Sequence, residues 1–160
     1  MHVTIEYAIL LPLLILQIFL FPIVVTGMMN TWTDSRQLLA LQETAGHISS
    51  NIQQVYFSLN HTSILDGTLT NNLDVQPYIE GYSYTANATL RSVLSPPSDS
   101  TKVLDITFKL VGTSVSTTTS VTLGQNVLWS SSVFTSNNAN QTSLMAQKTG
   151  GVIQLSFGPS

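Results

Sequence analysis

The chain has 160 residues, a net charge of −3 and no cysteine. That length holds one domain, or one domain with an appendage. The charge leaves no electrostatic footprint for nucleic acid, and the missing thiols exclude a disulfide scaffold and any thiol chemistry.

Charged residues make up only 8% of the chain, against about a quarter in an average domain. Ser and Thr supply about a quarter instead. Hydroxyls and amides, not charges, carry the solvation.

The first element is the apolar run from Ile5 to Met29. After Glu6 it holds roughly 23 residues without a formal charge, long enough to span a bilayer as a helix. A secretory signal peptide needs a basic leader, a shorter apolar core and a small-residue cleavage site, and the run has none of these. A membrane anchor ordinarily carries Lys or Arg on its cytoplasmic flank, whereas the flank here is Met-His-Val-Thr-Ile-Glu. The pattern leads us to expect a mature chain from which a short basic leader has been removed. Pro12 and Pro22 each delete a backbone hydrogen bond, and Gly27 is a third soft point. A polar junction, Asn30–Ser35, follows, with Trp32 placed to serve as an interfacial anchor.

The periodicity then sharpens. Leu38, Leu41, Ala45, Ile48, Ile52, Val55 and Leu59 are spaced 3-4-3-4-3-4, an apolar stripe at helical period. Arg36, Gln37, Glu43, His47, Ser50 and Gln54 occupy the opposite face. One helix is expected over residues 1–59, with an apolar half (7–29) and an amphipathic half (35–59). At 1.5 Å per residue, some 53 residues span about 80 Å, more than a domain of about a hundred residues can cover. The stripe is expected to dock on the chain's own β domain, and the apolar half on other chains.

From residue 60 to 160 the helical pattern is lost. Strands are expected at Tyr82–Val93, Val103–Val111, Ser114–Leu123, Val127–Phe134 and Gly151–Phe157, from alternation and β-branched content. Asp66-Gly67, Pro96–Asp99, Val111–Thr113, Gly124–Asn126, Asn137–Asn140 and Gly150-Gly151 are turn signals. The fold class is α+β: a long hydrophobic N-terminal helix, then a small antiparallel, sandwich-like β domain. Ser114–Thr122 reads as a strand with one hydroxyl-covered face.

Few residues carry chemistry. His2, His47 and His61 lack metal-ligand spacing. Asp66, Asp74, Glu80, Asp99 and Asp105 are too dispersed to form a carboxylate pair, and no phosphate loop or nucleophile elbow occurs. No catalytic residue, cofactor or metal is expected. N-glycosylation acceptors stand at Asn60-His61-Thr62, Asn87-Ala88-Thr89 and Asn140-Gln141-Thr142, a number that chance alone produces at this Asn, Ser and Thr content. Glu6 is the one acid beside the apolar run. It needs either the solvated interface or a cation.

These residues carry a resemblance. Type IV pilins begin, when mature, with four residues, a Glu and an apolar helix. Cleavage between Met1 and His2 puts Glu6 in that place. Pro22 matches a second proline common in bacterial pilin helices. Glu6-Tyr7-Ala8-Ile9-Leu10-Leu11-Pro12 is also similar to the Glu-Phe-Ala-x-x-x-Pro core of TadE-type pseudopilins. The Thr/Ser-rich, cysteine-free β region resembles archaeal adhesion pilins. The resemblance implies a leader removed by a prepilin peptidase and a monomer held in the cytoplasmic membrane. It further implies an extracellular filament of copies, built by pilus assembly machinery. Glu6 would then pair with the free amine at His2 of a neighbour, and the filament would serve adhesion and carry glycans. The alternative is a membrane-anchored minor pseudopilin, or a single-pass protein with an extracellular β binding module.

Overall fold

The computed structural model describes residues 2–95, 99–130, 133–138 and 142–158, without the side chains of 2–7, 94–95 and 99–100. The protein is α+β. One helix, α1 (His2–Asn60), is followed, among the described residues, by eight strands in two four-stranded sheets. The chain divides into two compact units, residues 1–36 and 37–160. Parts of two expected turns, Pro96–Ser98 and Ala139-Asn140, lie outside the described residues.

In the second unit the amphipathic stripe of α1 forms part of the core. Leu41, Ala45, Ile48, Ile52, Val55, Tyr56 and Leu59 are buried, and Leu38 packs against them from the edge. The stripe is thus covered by its own domain, as the 3.6-residue period of an amphipathic surface helix anticipates. Gln37, assigned to the polar face by the pattern, is instead buried.

The first sheet has the order β1 (Gly67–Asn72), β7 (Ser143–Thr149), β8 (Val152–Phe157), β5 (Val127–Trp129). The second runs β4 (Ser116–Leu123), β3 (Asp99–Leu110), β2 (Tyr84–Ser95), β6 (Val133–Thr135). Neighbours are antiparallel except β5 and β8, which pair in parallel. Alternate residues of both sheets, among them Tyr84, Leu104, Ile106, Phe108, Leu144, Ile153 and Leu155, meet in one core with the helix stripe.

Two devices close the sides of this sandwich. The helix lies along β1 and β4, the end strands of the two sheets. Asn71 on β1 donates to Asn51 Oδ1 at 3.5 Å, and Ser49 Oγ lies 3.3 Å from Thr119 Oγ1 on β4. On the other side, the expected strand Val127–Phe134 is two strands. Its first part joins β8 and its last part joins β2, so the chain passes from one sheet to the other between Ser130 and Val133.

The sequence pattern missed β1 and β7, which pair with each other in register from Gly67↔Lys148 to Asn72↔Ser143. Gly67 opens β1 instead of ending a turn. In β7 the inward positions are Leu144, Ala146 and Lys148, and a lysine at the third hides the alternation. The Gly150-Gly151 turn joins β7 to β8, with φ of 56° and 83°. A two-residue hairpin of this hand needs positive φ at both positions, which glycine adopts without strain.

The end of α1 is held by polar groups from distant strands. Lys148 is buried, and its Nζ donates to the carbonyls of Leu59, Ile64 and His61 at 2.8, 2.7 and 3.2 Å. Those carbonyls lie at and just beyond the helix C-terminus, where the helix supplies no donor and a cation is favoured. Tyr56 Oη accepts from Gly124 N at 3.0 Å and donates to Asn126 Oδ1 at 3.2 Å. Asn126 Nδ2 in turn donates to Asn60 Oδ1 and to the Gly151 carbonyl. Gly124 must be glycine, because a Cβ there collides with the Tyr56 hydroxyl.

Two stability predictions arise. Gly124→Ala should destabilise the chain by about 1–3 kcal/mol through overpacking. Urea unfolding in detergent would show it, and Tyr56→Phe should relieve part of that cost in the double variant. The second concerns Tyr84, whose ring is buried and whose hydroxyl donates to the Gln76 carbonyl at 3.0 Å. Burial pushes its pKa from 10.0 up to about 12. The folded state therefore holds a proton that the unfolded state releases, so stability is full below pH 10.0 and falls as pH rises towards about 12. Tyr84→Phe should cost about 1 kcal/mol at neutral pH and flatten that alkaline decline in a pH series of unfolding curves.

Candidate functional site

The first unit presents the feature that most needs a functional account. Every residue from Ala8 to Val24 is exposed, Phe21 by 71% and Ile15, the least exposed of its large apolar residues, by 47%. None of the most apolar window is buried by the chain itself, and the helix is long and apolar enough to cross a membrane. Each large apolar side chain left in water forfeits about 1.5–3 kcal/mol. Apart from Gln17 the surface is apolar all round, the signature of a helix surrounded by lipid or by other protein.

The helix runs through Pro12, Pro22 and Gly27 without a break in this single chain, and equally through the Asn30–Ser35 junction. The prolines remove the donors that would reach the Ala8 and Ile18 carbonyls. Towards the polar end, hydroxyls turn back on their own helix. Thr26 donates to the Pro22 carbonyl at 2.7 Å, Thr31 to Gly27 at 3.0 Å, Thr33 to Met29 at 2.9 Å and Ser35 to Thr31 at 2.8 Å. Such i−4 bonds let a hydroxyl sit in apolar surroundings without an outside partner. The Arg36 guanidinium lies over the Trp32 ring, 4.8 Å from its centroid, a cation–π contact that places an aromatic ring and a charge together where the apolar run ends.

The backbone of His2 and Glu6 is helical, and their side chains lie outside the described residues, so no pairing of Glu6 is visible. Of the glycosylation candidates, Asn140 also lies outside them. Asn60 is exposed, but its carboxamide oxygen is engaged by Asn126 at 3.0 Å. Asn87 stands on β2 with Thr89 two residues on, both exposed on the outer face of the second sheet.

That outer face is polar across its strands. The register sets Asn87, Thr107 and Thr118 in one row, and Thr89, Asp105 and Ser120 in the next. Ser116, Thr118, Ser120 and Thr122 are all exposed along β4, the hydroxyl-covered face that the alternation predicts. Thr107 and Thr118 share a hydrogen bond of 3.1 Å. Asp105 accepts from Arg91 and from Ser120, and these two bonds, the Arg91 one foremost, hold its carboxyl below the usual carboxylate range.

A groove of about 490 Å³ lies between the helix at 40–47 and the loop at 74–80, with Glu43, His47, Asp74 and Glu80 among its lining. Asp74 and Glu80 have φ of 42° and 49°, a strained setting for side chains with a Cβ. Among the described residues no three His, Asp or Glu side chains gather as a metal-ligand set. Sequence reasoning also overlooked Lys148 and the Tyr56–Asn126 clamp. No sequence signal marked Lys148, because its strand was not among those expected.

No protein-family model, curated protein or solved structure matches the chain.

All members of the core cluster fall within residues 41–157. A chain reduced to residues 37–160 should therefore unfold cooperatively and stay in solution without detergent, whereas the full chain should need detergent or aggregate. Sedimentation and thermal unfolding of the two would check this.

Proposed function

We propose that the protein is the structural subunit of an extracellular, type IV pilus-like filament. The observation that supports the reading most is the helix surface from Ala8 to Val24, exposed on every side and left uncovered by its own chain. Before assembly the segment lies in the cytoplasmic membrane, with Trp32 and Arg36 at the interface. A prepilin peptidase frees the amine of His2, and assembly machinery moves the helix from lipid into a bundle of copies. The two media are equally apolar, so the transfer costs little, and packing and polar pairs decide the outcome. Glu6 supplies the charge that pairs with a neighbour's amine.

The β unit would pave the outside. Its polar outer sheet face, poor in charge and carrying Asn87, suits a glycan-bearing exterior, and adhesion to a surface is the role that fits such a coat. The work is structural rather than catalytic.

Negative-stain microscopy of sheared cell-surface material, with an antibody to the β unit, tests the reading. Filaments decorated by the antibody support it. Recovery of the chain only as membrane-bound monomer would favour a single-pass protein with an extracellular β module. Glu6→Ala should leave the β unit folded and the monomer inserted, and reduce filament yield at least tenfold, as expected for a lost buried charge pair (about 1.4 kcal/mol or more). Wild-type filament yield from that variant would overturn the pairing role.

A further inference from the structure

Gln17 is the sole polar side chain between Ala8 and Val25, and among the described residues it makes no hydrogen bond. Thr26, Thr31, Thr33 and Ser35, further along the same unit, each satisfy themselves on their own helix. Gln17 lines a shallow groove of about 520 Å³ with Leu14, Ile18, Phe21 and Pro22. At 100° per residue, Gln17 and Pro22 stand about 140° apart, so they form the two rims, with Leu14 and Phe21 between them. The Pro22 rim carries an acceptor in need of a donor, because proline has no N–H to give to the Ile18 carbonyl. The Gln17 rim carries two amide N–H donors in need of an acceptor.

We propose that this groove is a pairing site for a second copy of the same chain, in parallel and related by a two-fold axis through the groove floor. The inference rests on residues 8–29 working in an apolar medium, which the filament reading shares. Copies inserted in one membrane point the same way, so Gln17 of one and Ile18 of the other lie at nearly the same depth. A two-fold axis through the floor brings the Gln17 rim of each copy against the Pro22 rim of the other. Each Gln17 amide then donates to the partner's Ile18 carbonyl, twice over by symmetry. Leu14 and Phe21 pack on their counterparts along the axis. In water neither group would need the partner. In hydrocarbon both do, since an unmet amide or carbonyl there is costly. A lipid tail covers the groove but offers neither donor nor acceptor, so the second copy is the occupant that answers both rims.

The chain has no cysteine, which allows a clean test on the full chain in phosphatidylcholine–phosphatidylglycerol vesicles. Single variants Leu14→Cys and Phe21→Cys should form disulfide-linked dimers on oxidation, and Leu16→Cys and Ile23→Cys, on the far side of the helix, should not. Energy transfer between labelled copies should show self-association weakened about 3- to 30-fold by Gln17→Leu, the worth of one or two interhelical hydrogen bonds in lipid. Pro22→Ala restores the donor to Ile18 and should weaken pairing similarly, and the double variant should be no worse than either single one. Gln17→Leu pairing like the wild type, additive losses in the double variant, or cross-linking spread evenly round the helix would each overturn the proposal. Filaments together with Gln17-independent pairing would sink this inference alone. Gln17-dependent pairing without filaments in sheared material would sink the filament reading and leave the pairing site standing.

Discussion

The end of α1 is the point on which the β unit depends. A helix that finishes among strands leaves carbonyls that water does not readily reach. No basic residue lies in the last turn to meet them. The cation comes instead from Lys148 on β7, 84 to 89 residues further along the chain. Its methylene stem occupies an inward strand position beside Leu144 and Ala146, and its ammonium meets three carbonyls. A buried lysine without such partners would be severely destabilising; with them it fixes the register of β7 against the helix. Because β7 pairs with both β1 and β8, that one contact anchors a whole sheet. The Tyr56–Asn126–Asn60 chain of hydrogen bonds does the same for the turn after β4.

Much of this architecture was legible in the sequence, for identifiable reasons. The helix announced itself because its two halves each carry a strong signal, one continuous apolar run and one stripe at period 3.6. The outer hydroxyl face of β4 was legible because Ser and Thr alternate with inward residues without interruption. What failed were the strands whose pattern is bent by tertiary contacts. β7 contains Met145, Ala146, Gln147 and Lys148, residues of good helix propensity, and its inward lysine reads as outward until the helix end it caps is in view. β1 is short and ends in two asparagines. Val127–Phe134 looked like one strand because alternation does not report a change of sheet. The candidate site was legible as a surface, and so were the bonds lost at Pro12 and Pro22, but the groove that sets Gln17 and Pro22 on its two rims was not, because it is a feature of the folded helix surface.

The two halves of α1 obey different rules. The core of the second unit is complete without residues 1–36, so the apolar half adds nothing to its folding. Fifteen large apolar side chains between Ile9 and Met29 stand exposed. At about 1.5–3 kcal/mol each, their exposure to water would outweigh the whole stability of a typical domain, about 5–15 kcal/mol. Such a segment is explained by its medium, either lipid or other protein.

That equivalence of media has a consequence for specificity. Moving an all-round apolar helix from lipid to protein changes little apolar exposure, so burial cannot choose between neighbours or set their register. The choice falls to shape and to the few groups that hydrocarbon leaves unsatisfied. Thr26, Thr31, Thr33 and Ser35 are silent in this respect, since each closes on its own backbone. The Ala8 carbonyl, Gln17 and the Ile18 carbonyl remain, and the last two stand one residue apart along the helix, on opposite rims of one groove. A polar group placed singly in an apolar seam is a device for fixing register at some cost in stability. In a helix that slides through a uniform medium, two such groups at one depth mark where a neighbour must stop.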